Sequence, residues 1–281
     1  LVMIDDNSTD GSYEILSRYQ KDYKFITLIR NSTTIGMDKN FSKVINKAKT
    51  EYVWFFGQDD ILIEGAIDKI LKNINSVEAP ELIYVNYKQM DHHMNSVLCP
   101  SYIDTQFLSR KKITGDYFFD NKKEYFKCFE SLPTFLPAIV FKKNLWNQNI
   151  ADKFLNTHYV QVGMMNMMKD DLKILVLFKP YIHGRIPNNK WQRDGSSLFS
   201  VLLGYQKMLF ISSKNNALPK HIYQLHHRRY ILNYFFMVYN CKRLGLVLSE
   251  NNIIDLDFIS NDGRIIKVYF KSILKIPFIF H

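Results

Sequence analysis

The chain has 281 residues, of which 47% are hydrophobic and 15% aromatic. This composition supports a sizeable core and excludes global disorder. The formal net charge of +10 favours anionic partners. Because zinc-ligand spacing and an aromatic RNA-binding signature are missing from the sequence, phosphorylated small molecules and anionic lipids fit this charge better than nucleic acid.

The cysteines and the hydropathy pattern indicate the compartment. Cys99, Cys128 and Cys241 lie far apart without a CxxC pair, which argues against a zinc site or a disulfide framework and fits a reducing compartment. No apolar run reaches the roughly 18 residues of a transmembrane helix. We therefore expect a cytoplasmic protein. Residues 264–280 mix basic and large apolar side chains, so peripheral contact with the inner face of a membrane is a hypothesis beside an ordinary packed terminal helix.

Strand and helix signals alternate over the first 90 residues. Short apolar runs predict strands at residues 1–4, 25–29, 52–56 and 82–87. Apolar residues at helical spacing predict helices between them, around residues 15–19, 41–48 and 67–74. This alternation predicts an α/β fold with a mostly parallel sheet flanked by helices.

The pattern changes twice after residue 90. The middle of the chain is irregular, and its clearest elements are the apolar run 135–141 and a strand-like run at 174–178. From Ser196 the apolar period becomes helical, with one stripe over 198–209 and a second over 222–239. We therefore expect a C-terminal helical region over 196–281.

Two acidic turns follow predicted strands. Asp5 and Asp6 come after the first strand, and Asp59 and Asp60 come after the third. Ligands of open α/β sheets bind outside the carboxyl ends of the strands, so both turns are expected to open on one crevice. A carboxylate there accepts hydrogen bonds from a nucleoside, or meets a diphosphate through Mg²⁺ or Mn²⁺. For Asp5 and Asp6 the alternative is a simple helix cap.

These two turns resemble the motifs of family 2 glycosyltransferases of the GT-A fold. The segment Val2–Ser12 resembles that family's VVDDGSTDGS, and Val53–Leu62 is similar to its FLDADDIL segment. Asn31 and Gly36 resemble its N-x-G element. The resemblance is good over the first 90 residues and loose beyond them. It implies a GT-A domain with a nucleotide-sugar binding half over 1–110 and an acceptor-binding half over 111–195.

The resemblance also implies roles by position. Asp6 would contact the nucleobase, while Asp5 and Ser8 would help to form the donor pocket. Asp59 corresponds to the carboxylate that binds Mg or Mn. Asp60 would support that site or meet the donor sugar.

The sequence departs from the family in two places. Gly57 stands where the first carboxylate of the DxD motif is expected, although a GDDD-like variant is familiar in the branch that resembles abequosyltransferases. The family also begins with a strand and a PxYN turn, and nothing in this sequence supplies them. We expect that first strand to be missing from the chain.

The catalytic base is the least regular part of the motif set. Inverting sugar transfer needs a base for the acceptor hydroxyl, and the family's ED pair would be expected near residues 155–160, where no acidic pair occurs. His158 is the best candidate, because imidazole titrates near neutrality. A packing or hydrogen-bonding histidine is the alternative. Asp152 and the pair Asp170-Asp171 are the reserve candidates.

A basic and aromatic segment follows the strand-like run at 174–178. In the family such a segment often closes over the donor diphosphate, which implies donor-binding roles for Arg185, Trp191 and Arg193. Arginine neutralises phosphate charge, and Trp191 is suited to stack on a sugar. A solvated loop is the alternative.

Together these features predict an inverting, metal-dependent glycosyltransferase. It would move a sugar from a nucleotide-diphosphate donor to a glycan or lipid-linked acceptor, in bacterial synthesis of a surface polysaccharide such as lipopolysaccharide. The alternative is a non-catalytic nucleotide-sugar-binding protein or a truncated glycosyltransferase remnant.

Overall fold

A computed structural model describes residues 1–129, 132–186, 195–218 and 223. Its strands are β1 (Val2–Asp5), β2 (Thr27–Arg30), β3 (Tyr52–Trp54), β4 (Ile61–Leu62), β5 (Leu82–Met90), β6 (Val97–Cys99), β7 (Tyr117–Phe119), β8 (Ile139–Lys142) and β9 (Ile174–Arg185). Its helices are α1 (Ser12–Asp22), α2 (Met37–Lys47), α3 (Ala66–Ile74), α4 (Thr105–Arg110), α5 (Lys122–Phe126), α6 (Gln148–Ala151), α7 (Val160–Met167) and α8 (Gly195–Lys214).

The strands form two sheets. β1 and β2 pair in parallel, and the other seven strands follow the order β3-β8-β5-β9-β4, with β6 beside β5 and β7 beside β9. In the larger sheet β5 and β9 are parallel, and the remaining pairs of the described residues are antiparallel.

The α/β class is confirmed, but the expectation of a mostly parallel sheet is wrong. The physical reason is that β8 and β9 come from the irregular middle of the chain. β8 lies between β3 and β5 and is antiparallel to both. β9 lies between β5 and β4 and is antiparallel to β4. Alternation in the first 90 residues carries no information about these insertions.

The core is continuous from α2 to α8. β5 lies at its centre, where Leu82, Ile83 and Val85 are fully buried on both faces, as is typical of an interior strand with an unbroken apolar run. Ile174 and Leu177 of β9 are equally buried. These two parallel strands therefore fix the position of the turns at their ends.

The layer formed by β1, β2 and α1 is much more exposed. None of the residues of α1 is buried, and the rings of Tyr19, Tyr23 and Phe25 are stacked or tilted against one another at the surface. The absence of the family's first strand stays a prediction, and the first strand of the structure is β1. The second helical stripe, at 222–239, lies outside the described residues apart from Tyr223.

Within the described residues, we find no helix that combines the length and the hydrophobicity needed to cross a bilayer.

Candidate active site

Asp6 is held by the loop that precedes α2. Its Oδ1 accepts hydrogen bonds from Asn31 Nδ2 at 2.6 Å and from the Ile35 N–H at 2.9 Å, and its Oδ2 accepts one from the Gly36 N–H at 2.9 Å. Desolvation alone raises the pKa of Asp6, but these donors outweigh it, and the net pKa lies below the ordinary value. The carboxylate is therefore ionised and fixed in orientation at neutral pH.

Asn31 is fixed in turn by α2. It is 4% exposed, its Nδ2 also donates to Asn40 Oδ1 at 2.9 Å, and its Oδ1 accepts a hydrogen bond from the Lys43 ammonium. Because the Lys43 ammonium can only donate hydrogen bonds, it fixes the Asn31 amide with Oδ1 towards Lys43 and Nδ2 towards Asp6. Sequence reasoning missed Asn40 and Lys43. Asn40 and Lys43 lie about one helical turn apart shortly after the N-x-G element, and this spacing could have indicated that both face Asn31.

Asp5 has a structural role beside Asp6. It is 3% exposed, its Oδ2 accepts the Ser8 N–H at 3.2 Å, and Arg30 Nε lies 3.4 Å from the same oxygen. The Ser8 carbonyl accepts a bond from the Arg30 guanidinium at 3.2 Å. Helix α1 begins after Gly11 without a side-chain cap from these carboxylates, so the alternative of a simple helix cap is wrong for Asp5 and Asp6.

The acidic pair Asp59-Asp60 lies at the end of β9. The antiparallel register pairs Ile61 with His183, which brings the preceding turn to Arg185. The Arg185 N–H donates to Asp60 Oδ1 at 3.0 Å, and its Nε donates to the Asp59 carbonyl at 3.1 Å. Asp60 and Arg185, predicted to bind the donor, and Asp59, predicted to bind the metal, therefore meet, although Arg185 is remote in the chain.

The surroundings of Asp60 disfavour its ionised form. Partial burial raises the pKa of Asp60 to about 6, the Arg185 N–H lowers it, and the charge of Asp59 raises it. Gly57 faces both carboxylates, because a Cβ placed on it would lie 3.0 Å from Asp59 Oδ1 and 3.2 Å from Asp60 Oδ2. The glycine provides room at the point where both carboxylates converge.

These residues fit a Mg²⁺ or Mn²⁺ ion that is completed by its substrate. The described residues contain no group of three or more His, Cys, Asp or Glu side chains arranged to enclose a metal. Both ions commonly bind through one or two carboxylates and take their remaining ligands from phosphate and water. Two converging carboxylates, of which Asp60 has a raised pKa, match that requirement.

His158 lies in the turn before α7, with a positive φ of 64°. Its N–H donates to Asp38 Oδ2 at 3.1 Å, and Asp38 is in the first turn of α2, directly after the loop that holds Asp6. The candidate base thus meets the helix that orders the Asp6 loop. Asp38 was missed by sequence reasoning, since an acid in a first helical turn is unremarkable there.

The reserve bases have other partners. Asp170 lies 3.5 Å from the Lys122 ammonium and 2.8 Å from that of Lys123. Asp152 Oδ1 accepts a hydrogen bond from Gln148 at 2.7 Å, and Asp171 lies 3.9 Å from the Lys169 ammonium. Trp191 and Arg193 lie outside the described residues, so their predicted contacts with the donor stay predictions.

The fold is that of GT-A glycosyltransferases. The structure matches S. aureus TarS 1–349, solved in complex with UDP, with a TM-score of 0.57, 15% identity and coverage of 92% of this chain and 70% of that one. It also matches mannosyltransferase PcManGT from Pyrobaculum calidifontis, solved with GDP-Man and Mn²⁺, with a TM-score of 0.51, 12% identity and coverage of 97% and 73%.

The family model for glycosyl transferase family 2 matches residues 1–135 of the chain. Abequosyltransferase RfbV of Salmonella typhimurium is 25% identical over 210 residues, which cover 70% of this chain and 60% of the relative. Cholesterol galactosyltransferase of Borreliella burgdorferi is 22% identical over 233 residues, which cover 78% and 59%. The chain therefore spans about three fifths of the length of these curated relatives.

Proposed function

We propose that this chain transfers a sugar, with inversion and with the help of Mg²⁺ or Mn²⁺, from a nucleotide-diphosphate donor to an acceptor hydroxyl. The observation that carries the proposal is the convergence of Asp59, Asp60 and Arg185 at the end of β9. Two carboxylates and a guanidinium in one place suit a diphosphate that arrives with a cation. The division into a donor half, 1–110, an acceptor half, 111–195, and a C-terminal region, 196–281, is part of the same proposal.

Each residue has a defined task in this reaction. The ordered carboxylate of Asp6 accepts a hydrogen bond from the nucleobase, with Asp5 and Ser8 holding its loop in place. Asp59 and Asp60 would hold the cation, which would supply positive charge for the leaving diphosphate. Arg185 lies against the same pair and adds positive charge for the leaving phosphates. His158 takes the proton from the attacking hydroxyl.

The acceptor is proposed to be a glycan or a lipid-linked saccharide in bacterial surface-polysaccharide synthesis. The relative from Salmonella is an abequosyltransferase and the one from Borreliella a cholesterol galactosyltransferase, so acceptors at or near a membrane are the first to test. The net charge of +10 supports peripheral contact with anionic lipid head groups.

Donor binding is tested by thermal shift with a panel of nucleotide-diphosphate sugars, with and without MnCl₂. A ligand that binds only the native state raises its stability, by about 2.7 kcal/mol at a hundredfold excess over Kd. We expect a rise in Tm that needs Mn²⁺, is lost in Asp59→Asn and is kept in Asp68→Asn, an exposed acid in the first turn of α3. A shift that survives Asp59→Asn contradicts the assignment of the metal site.

Transfer is tested separately, by following labelled sugar into glycan and lipid-linked acceptors. His158→Gln should lower the turnover by roughly 100-fold or more while donor binding remains. Full turnover in His158→Gln would remove the base assignment. Donor binding by the wild type without transfer to any acceptor would favour the non-catalytic nucleotide-sugar-binding protein instead.

A further inference from the structure

Asp38 is a buried acid whose hydrogen bonds leave its own helix. It is 8% exposed, and its Oδ2 accepts the N–H groups of Thr157 at 3.0 Å and His158 at 3.1 Å. Its Oδ1 is buried without a hydrogen-bond partner. Desolvation raises its pKa, against the effect of the backbone donors. Burial of a carboxylate costs free energy, and the two backbone hydrogen bonds offset part of that cost.

The contacted turn is one that requires support. Asn156 and His158 have φ values of 62° and 64°, in the left-handed region that non-glycine residues rarely adopt. Thr157, between them, is fully buried, and its carbonyl would lie only 1.9 Å from a Cβ placed on Gly204 of α8. The turn is thus enclosed by Asp38 on one side and by α8 on the other.

The same end of α2 also orders the donor loop. The Gly36 N–H binds the Asp6 carboxylate, and Asp38 follows two residues later. Asp6 and His158 are therefore connected through three consecutive residues of one helix start. A shift of this helix end would move both the proposed nucleobase contact and the proposed base.

We propose that Asp38 is a positioning residue that fixes the backbone of the 156–158 turn and thereby places the imidazole of His158 relative to the bound donor. The inference rests on the proposed function, with His158 as base. Asp38 acts through the turn and makes no contact with the reacting atoms. It also connects the helix of the donor half to the acceptor side of the site.

The test compares Asp38→Ala and Asp38→Ser, which remove both backbone bonds, with Asp38→Asn, whose amide oxygen can still accept them. Asp68→Asn is the control for loss of an acid in a first helical turn. Turnover is divided by the number of sites that bind UDP–Mn²⁺ or GDP–Mn²⁺ in calorimetry, so that unfolded protein does not count. We expect roughly a tenfold or greater loss of kcat in the Ala and Ser variants. The donor KM should stay within about twofold, and Asp38→Asn should recover most of kcat.

Two results would overturn the proposal: an unchanged kcat in Asp38→Ser, or an equal loss in Asp38→Ser and Asp38→Asn. If Asp38→Ala does not fold, the comparison of Asp38→Ser with Asp38→Asn decides.

Hydrogen exchange gives a measurement that does not depend on enzymatic activity. The Thr157 and His158 amides should exchange at least about tenfold faster in Asp38→Ser than in Asp38→Asn, and equal rates would also overturn the proposal. A wild type that binds UDP–Mn²⁺ or GDP–Mn²⁺ without transferring sugar, but shows this difference in exchange, would contradict the proposed function and leave the anchoring of the turn standing.

Discussion

At the scale of single residues, Asp6 and Asp60 follow the ends of different strands, yet their surroundings move the pKa values in opposite directions. Asp6 receives three hydrogen bonds from one loop, which lower its pKa despite desolvation. Asp60 receives one from Arg185 and lies beside a second carboxylate, so burial raises its pKa to about 6. The protein favours the ionised form of Asp6, whereas burial and the neighbouring carboxylate disfavour the ionised form of Asp60.

The first prediction concerns the pH dependence of stability at Asp6. Since its folded-state pKa is lower than the unfolded value of 3.8, its ionised form stabilises the fold above that pH, and the contribution is lost as pH falls through the folded pKa. We expect Asp6→Asn to lower stability at pH 7 by about 1–3 kcal/mol through lost hydrogen bonds. Thermal melts should show the difference from wild type narrowing below pH 4, while Asp68→Asn shows neither effect. A constant difference would contradict this account.

The second prediction concerns the glycine that replaces the first carboxylate of the motif. A methyl group at Gly57 would press on both Asp59 and Asp60, whereas one at the exposed Gly115 has nothing within 4 Å. We expect Gly57→Ala to weaken Mn²⁺-dependent nucleotide binding by roughly three- to tenfold, since small displacements of ligating groups are costly. Calorimetry should show Gly115→Ala unchanged. Equal affinity in both variants would show that the acidic pair tolerates displacement.

At the scale of elements, α7 is supported at both ends by side chains from elsewhere. Asp38 of α2 binds the turn before it. Lys122 of α5, which is 2% exposed, donates to the Asn166 carbonyl at 2.6 Å and to the Met168 carbonyl at its end. A cation at the carbonyl end of a helix is favoured by the helix dipole. This matters for the site, because the turn with His158 leads into the start of α7.

The third prediction compares two adjacent lysines. Lys122 and Lys123 both lie near the Asp170 carboxylate, but only 2% of the Lys122 side chain is exposed, against 55% of the Lys123 side chain. We expect Lys122→Ala to lower the free energy of unfolding by about 2–4 kcal/mol, because it leaves buried carbonyls unpaired. Lys123→Ala should lose about 1 kcal/mol or less, as exposed ion pairs do. Denaturant titration measures both, and equal losses would remove the capping role of Lys122.

At the scale of the whole molecule, the described core is one body with an unevenly protected outer layer. β5 and β9 lie at its centre, while no residue of α1 is buried. Local opening is easiest where few apolar groups are removed from water. Asp5 and Asp6 belong to the same layer as α1. Among the helices of five or more residues whose burial is described throughout, α1 is the one without a buried residue.

The fourth prediction follows from this uneven burial. In native-state hydrogen exchange, the amides of α1 should exchange first and those of β5 and β9 last, near the rate of global unfolding. Adding Mn²⁺ with a nucleotide diphosphate should slow exchange mainly around Asp6 and at the turn with Asp59. Exchange in α1 as slow as in β5 would show that this layer is covered by more than the described residues.

Much of the N-terminal part of the fold was predictable because its signals are local. The strands that end at Asp5 and near Asp59, the three early helices and the long apolar run of β5 depend on neighbours in the sequence, and each was confirmed. The strands β4, β6 and β7 were missed, because two or three residues carry no period. The C-terminal helical pattern was confirmed over α8.

The sequence by itself predicted the α/β class and the resemblance of the first 90 residues to family 2 glycosyltransferases, because both rest on short-range patterning. Only the tertiary structure decided how the site is assembled. Arg185 contacts Asp60, 125 residues away in the sequence, and His158 contacts Asp38, 120 residues away. The first contact forms because β9 pairs with β4 in the mixed sheet. Such contacts depend on strand order and helix packing, which local pattern does not specify. The acidic pair was visible in the sequence, but its guanidinium partner and the support of the proposed base were fixed by folding.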